Sequence, residues 1–307
     1  MALPDSFHEL AARVRNWGRW GPDDELGTLN LLTADAVRRG AACVRTGKTF
    51  ALALPLSEAE GIQLGFQPGR LNPVRTMSQI NAPLTADPDG FCSSDDLVVM
   101  GLQSATHWDG LGHVSYGGTI WNGHPASSVT AAGATRCGIH RVRSLTGRAV
   151  LLDVARARGV ERLDGGYPIT ADDLDAAVDL ARTTVGAGDL VLVRTGQTTL
   201  LPDKLAYAIR SPGLSMGTVE WFRHRDVVAV ATDTMPFEVW PPEDPDLVLP
   251  VHLLHLVDMG MTQGQNFVLE ALGDDCAEDG VYELLLQASP LPFTNAVGSP
   301  VNPVAVK

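Results

Sequence analysis

Two periods run through the apolar positions of this chain. Short β-branched runs bounded by turn residues, at 149–154, 189–194 and 226–231, read as strands buried on both faces. Between the first two, Leu174, Ala177, Val178 and Ala181 recur at helical spacing after Thr170-Ala-Asp-Asp173, a capping-box-like start, and Gly186 and Gly188 close the unit. Thr33 predicts the N-cap of a helix running to about Arg45 and ended by Gly47. Residues 48–56 read as a strand, 216–225 and 250–259 as helices with Gly260 capping the second, and 281–288 as a late strand. Tyr116-Gly-Gly-Thr119 has hairpin-turn chemistry. Strands alternate with helices, yet early hairpins also occur, which predicts an α/β domain with a mixed sheet. Neither a repeat nor a linker divides it, so 1–307 reads as one domain. Residues 57–95 are rich in Gly, Pro, Asn and Asp and have no period. A loop that long reads as a lid or an oligomer contact, or as a plain surface excursion.

An apolar strand over 97–102 leads into Gln103-Ser-Ala-Thr-His107-Trp-Asp109-Gly-Leu-Gly-His113, the densest chemistry in the chain. If the segment stays extended, Gln103, His107 and Asp109 project from one face, because strand side chains alternate. The Gly110–Gly112 turn then returns His113 toward the same point. An amide oxygen, an imidazole and a carboxylate suit one divalent ion, zinc or manganese, with open positions for water. His113 lies past the turn and is better placed as a general base. Trp108 alternates away and reads as core. Tyr116, Trp121 and Asn122 are candidates for lining a substrate pocket, with core packing the alternative for the two aromatics. Gly213-Leu-Ser-Met-Gly217 fits the string of a nucleophile elbow, but no strand is expected before Ser215, so an N-cap or water-relay role is the better reading.

Composition narrows the partners. Apolar content of 45% and charged content of 19% give a globular chain with a large core. A formal charge of −13 with no basic cluster argues against nucleic acid. The first ten residues lack a basic region followed by an apolar run, and no stretch is long enough to span a bilayer. Cys43, Cys92, Cys137 and Cys276 are scattered, as expected of reduced thiols in a cytoplasmic protein.

The central motif resembles that of the cyclase family, which includes bacterial kynurenine formamidases and isatin hydrolases, where it runs roughly His-x-Gly-Thr-His-x-Asp-x-Pro-x-His. Thr106, His107, Asp109 and His113 match; Gln103 replaces the first His, Ala105 the Gly and Leu111 the Pro. Pro212-Gly-Leu-Ser215 with 226–233, Pro250-Val-His252 with Gln265, and the opening Trp17-Gly to Asn30 passage resemble further family segments. The resemblance implies a swivelling β/β/α fold, here with an N-terminal extension. It also implies a role for His252, a second-metal ligand in the formamidases. Gln265 stands where its Glu partner would be, which disfavours a second metal and leaves His252 as a catalytic candidate and Gln265 as a substrate contact.

Together these readings predict a metal-dependent hydrolase opening an amide, imide or lactone bond at an activated carbonyl of a small, ring-containing molecule. It is expected to work as a homo-oligomer, dimer or tetramer. Two alternatives stay open: a cyclase or dehydratase acting on a natural-product intermediate, and a non-catalytic ligand-binding relative, the latter motivated by Gln103 and Gln265.

Overall fold

Three apolar runs and one polar strand form the parallel centre of the molecule. In the computed structural model, which describes residues 3–307, the strands Thr146–Asp153, Leu190–Arg194, Ala229–Thr232 and Thr262–Gln265 lie side by side and parallel. Met1 and Ala2, where the reading of the N-terminus begins, lie outside the described residues. Antiparallel strands extend the sheet on both sides. Glu283–Gln287, Val304–Val306 and Thr49–Ala51 follow on one, His107–Asp109 and Gly298–Pro300 on the other, nine strands in all. This is the mixed sheet that the order of elements predicts.

Alternation along the strands divides the core in two. Val150, Leu152, Val191, Val193 and Val230 meet Phe7, Leu174, Phe222 and Leu254 on one face. Ala149, Leu151, Leu190, Leu192 and Ala231 meet Trp108, Phe267, Leu272 and Leu284 on the other. Each buried Val, Leu or Phe among them contributes about 1.5–3 kcal/mol, and the buried polar side chains of these strands gather at their ends and on Thr262–Gln265. The helices start where their caps predict. Thr170 and Asp173 form a reciprocal capping box at Ala171–Ala181, and Thr33 caps Ala34–Ala42, which ends before Arg45.

Three segments depart from the sequence pattern. Residues 57–95 are not structureless: Val74–Pro83 and Cys92–Val99 pair as an antiparallel ribbon with irregularities between Met77 and Ala82. Both faces of this ribbon are largely exposed, so burial never imposed an apolar alternation on its sequence. For the same reason Leu97, Val98 and Val99 are exposed ribbon residues, and a turn at 101–104 separates them from the motif. Residues 253–259 form a wide π-helical turn, Leu253–Met259, which Gly260 ends in the left-handed region. Finally, Glu270–Asp279 is a helix with only Leu272, Gly273 and Cys276 buried, too few apolar positions to stand out in the sequence. Among the described residues, no helix is long and apolar enough to cross a membrane.

The strand pair beside one edge of the sheet is held by one close packing. Gly264 lies opposite Trp108, and a Cβ there would stand 2.8 Å from the indole, 2.7 Å from Phe267 and 2.8 Å from Ala231. The indole Nε1–H donates to the Ala288 carbonyl at 2.8 Å, so the ring cannot swing away freely. Gly264→Ala is therefore expected to destabilise the fold by about 1–3 kcal/mol, the usual cost of overpacking. Urea unfolding monitored by tryptophan fluorescence measures it; an unchanged midpoint would contradict this account of the edge.

Candidate active site

Strand register builds the site. His107 lies opposite Gln265 and Asp109 opposite Gln263, so these four side chains share one face while Trp108 faces the core. Gly298 pairs with Asp109 from the other side. Gly110 then turns the chain where a Cβ would stand 2.9 Å from the Val297 carbonyl. The turn closes with the His113 N–H on the Gly110 carbonyl and brings His113 Nε2 to 3.6 Å from Asp109 Oδ1. From the far side, His252 sits at the start of the π-helical turn with Nε2 3.9 Å from Asp109 Oδ2.

Two hydrogen-bond chains set the protons. His252 Nδ1 donates to Glu238 Oε1 at 2.5 Å, and the same carboxylate accepts from the Val251 and His252 N–H groups at 2.9 and 2.8 Å. With Nδ1 protonated, His252 Nε2 is an acceptor, and Gln265 Nε2 reaches it at 3.3 Å while also donating to Asp109 Oδ2 at 2.8 Å. The second chain is different. His107 Nδ1 donates to the Ala105 carbonyl at 2.7 Å, leaving its Nε2 a lone pair. That lone pair faces Asp109 Oδ1 at 3.3 Å, and neither buried atom has a hydrogen-bond partner among the described residues.

The electrostatics follow from this packing. Burial opposes ionisation of Asp109, but in acid, where the His113 and His107 rings carry protons, their charge outweighs it and holds its carboxyl well below the usual carboxylate range. Burial pushes the His113 imidazole below its ordinary value, with Asp109 pulling the other way, so His113 is neutral at neutral pH. Two acceptors facing each other in a dry site are costly unless something positive lies between them. An imidazole nitrogen and a carboxylate oxygen are also the donor chemistry that zinc and manganese take. The residues thus fit a cation at this pair. Among the described residues, no three His, Cys, Asp or Glu side chains are gathered as a metal site, so protein donors alone do not complete its shell.

The structure brings together His107, Asp109, His113, His252 and Gln265, five of the residues singled out from the sequence. Gln103 does not share their strand, because the extended segment begins only at His107. Its amide instead packs against Gly298, with Nε2 2.5 Å from where a Cβ would stand. Tyr116, Trp121 and Asn122 are held away from the site. The Tyr116 hydroxyl donates to Asp258 at 2.7 Å, Trp121 is fully buried with its Nε1–H on Asp24, and Asn122 binds the Gly18 N–H and Gly21 carbonyl of the N-terminal segment. Ser215 follows the two-residue strand Gly213–Leu214 and precedes the short Met216–Thr218 turn without capping it through its side chain. Glu238 carries no signal in the sequence: it acts across a loop on the N–H groups of a helix start, at no fixed spacing.

Above this cluster lies a cavity of about 630 Å³, a typical size for a small-molecule site. His113, His252 and Gln265 form part of its lining; Asp109 and His107 are fully buried. Leu64, Phe66, Met235, Pro236 and Trp240 make its walls mainly apolar.

The Cyclase family model matches residues 37–239, more than half of the chain. A crystal structure described as a novel cyclase is 37% identical and superimposes with a TM-score of 0.87 over 97% of this chain and 99% of that one. Isatin hydrolase A from Ralstonia solanacearum shares the fold at 19% identity and a TM-score of 0.60, over 85% of this chain and 92% of its own. So does a predicted metal-dependent hydrolase from Bacillus stearothermophilus, at 16% identity and a TM-score of 0.54, over 85% and 98%. No curated protein matches the chain. With its His–Asp pair on one strand, its mixed sheet and this family match, the chain belongs to the cyclase family.

Proposed function

We propose that this protein is a hydrolase that uses one divalent metal ion, zinc or manganese, to open an amide, imide or lactone bond of a small, ring-containing molecule. The observation that carries the reading is the unpartnered pair His107 Nε2 and Asp109 Oδ1, buried beside an apolar cavity with two histidines in its lining. His107 and Asp109 would hold the ion, with Gln103 the third candidate, since it lies against the residue paired with Asp109. A bound divalent ion supplies Lewis acidity, polarising a carbonyl and making water easier to deprotonate. His113 Nε2, neutral and past the glycine turn, takes the proton of the attacking water. As the carbon–nitrogen or carbon–oxygen bond breaks, it returns that proton to the leaving atom. His252 is the second proton-handling group, held in one tautomer by Glu238. Gln265 orients both His252 and Asp109 and faces the ligand space. Relatives described as isatin hydrolases and as a metal-dependent hydrolase support the reaction class.

One observation favours a second reading. The chain Glu238–His252–Gln265–Asp109 is already satisfied by hydrogen bonds alone, as a metal-free cyclase or dehydratase would need. Metal content separates the two. Elemental analysis of protein purified without chelators is expected to find about one zinc or manganese per chain. Asp109→Asn and His107→Ala should each lose it while circular dichroism stays unchanged. Full occupancy in both variants would overturn the ligand assignment, and turnover by metal-free protein would favour the second reading.

His113→Ala is expected to keep the metal and lose about 10²–10⁴-fold in turnover, the usual worth of a general base. Near-normal activity would remove His113 from the mechanism. Loss of the metal instead would move it among the ligands and make His252 the base.

Self-association belongs to the same proposal. Ile80, Leu84 and Phe91 on the ribbon are 68%, 72% and 66% exposed, an apolar concentration that monomers rarely present to water. Light scattering is expected to give a dimer or tetramer, reduced to a monomer in Ile80→Asp/Leu84→Asp. A monomeric wild-type protein would refute this part.

A further inference from the structure

Arg70 is a cation without a partner in a place where cations normally have one. It belongs to the segment that forms one wall of the cavity with Gln63, Leu64, Phe66 and Gln67. That wall is anchored. Gln63 and Asn72 exchange hydrogen bonds across it at 2.9 Å, the Gln63 amide reaches the Ser104 carbonyl at 3.0 Å, and the Gly101 N–H donates to the Leu71 carbonyl at 2.9 Å. The aliphatic stem of Arg70 crosses Gly101, with Cγ 3.3 Å from where a Cβ would stand. Its position is therefore set by backbone contacts rather than by any ion pair.

Other enclosed arginines of this protein behave differently. Arg148 pairs with Asp189 and Glu283, and Arg194 with Asp153 and Glu270. The Arg70 guanidinium makes no hydrogen bond or ion pair with any described residue, although burial is strong enough to lower its pKa, against the pull of Asp109. Its charge in turn acts on His113. It therefore lies within electrostatic reach of both the buried carboxylate and the proposed base. No Asp or Glu lines the cavity, and Arg70 is its one lining side chain with a permanent charge.

A guanidinium offers a planar fork of five donors and stays protonated, and leaving it partly desolvated and unpaired is unfavourable. A carboxylate satisfies it with two parallel charge-assisted bonds. One guanidinium fork is filled by one carboxylate, and the surrounding Leu64, Phe66, Met235 and Trp240 match an apolar body. We infer that Arg70 is the specificity-determining residue of this cavity and that its ligand is a small apolar ring compound bearing one carboxylate, anchored on Arg70 with its opposite side toward His113. This rests on the cavity being the substrate site of the proposed hydrolase and narrows that substrate to an anion.

The test is binding, which needs no turnover. Benzoate and benzamide, alike in shape and differing in charge, are titrated calorimetrically into the wild-type protein, Arg70→Met and Arg70→Lys. The wild type is expected to bind benzoate about tenfold or more tightly than benzamide, the worth of one hydrogen bond to a charged group. Arg70→Met, which keeps an apolar stem, should remove the difference, and Arg70→Lys should retain part of it. Equal binding of the two probes, no benzoate binding, or a benzoate preference that survives in Arg70→Met overturns the inference. Turnover of paired cyclic amides with and without a carboxylate, such as pyroglutamate and 2-pyrrolidinone, is measured separately. An Arg70-dependent benzoate preference without hydrolysis of either amide leaves the anion site standing and counts against the hydrolase. Hydrolysis with no dependence on Arg70 does the reverse.

Discussion

The organisation of the site depends on keeping one carboxylate ionised away from bulk solvent. Asp109 is completely buried, and an isolated charge there would cost several kcal/mol even after relaxation. Four side chains approach it from three directions. His107 comes from the same strand, His113 from the turn after it, and Gln265 with His252 from the neighbouring strand and the π-helical turn. Each approach depends on backbone geometry. Antiparallel register sets His107 and Gln265 opposite each other, Gly110 admits the Val297 carbonyl, and Gly264 leaves room for the Trp108 ring.

That arrangement is satisfied unevenly. One carboxylate oxygen accepts from Gln265, and through it joins His252 and Glu238 in a closed chain of donors and acceptors. The other faces the His107 lone pair with no donor between them. A site that is complete on one side and unsatisfied on the other is what separates a catalytic cluster from a structural polar network, since natural cores rarely tolerate opposed acceptors. The unsatisfied side is the one that His113 also approaches. The completed side fixes the tautomer of His252, so the two histidines that reach the cavity are distinguished by their surroundings and not by their chemistry.

The cavity follows the same economy of polar groups. Its walls are mainly apolar, its polar groups gather at the cluster and along the anchored segment that carries Arg70, and that segment lies outside the sheet. The nine-stranded core fixes where a reaction can occur. Residues of the 63–70 segment, with Met235 and Pro236, line the cavity beside it.

How much of this was legible in the sequence depends on the range of the interaction. Period-two alternation placed His107 and Asp109 on one face and sent Trp108 into the core, and the glycine turn returned His113; these are local consequences of backbone geometry, and the structure shows each of them. The apolar runs and the Thr170 capping box were readable for the same reason. Gln103 was not, since the alternation argument holds only while the strand continues, and a turn at 101–104 interrupts it. Tyr116, Trp121 and Asn122 carried the right chemistry for a pocket, but long-range partners at Asp258, Asp24 and the N-terminal segment claimed them. The ribbon escaped notice because strands exposed on both faces leave no apolar period. Glu238 and Arg70 left no pattern at all. One acts on a histidine through a helix start, and the other matters because it lacks a partner, a property that exists only once every other carboxylate has been placed in space.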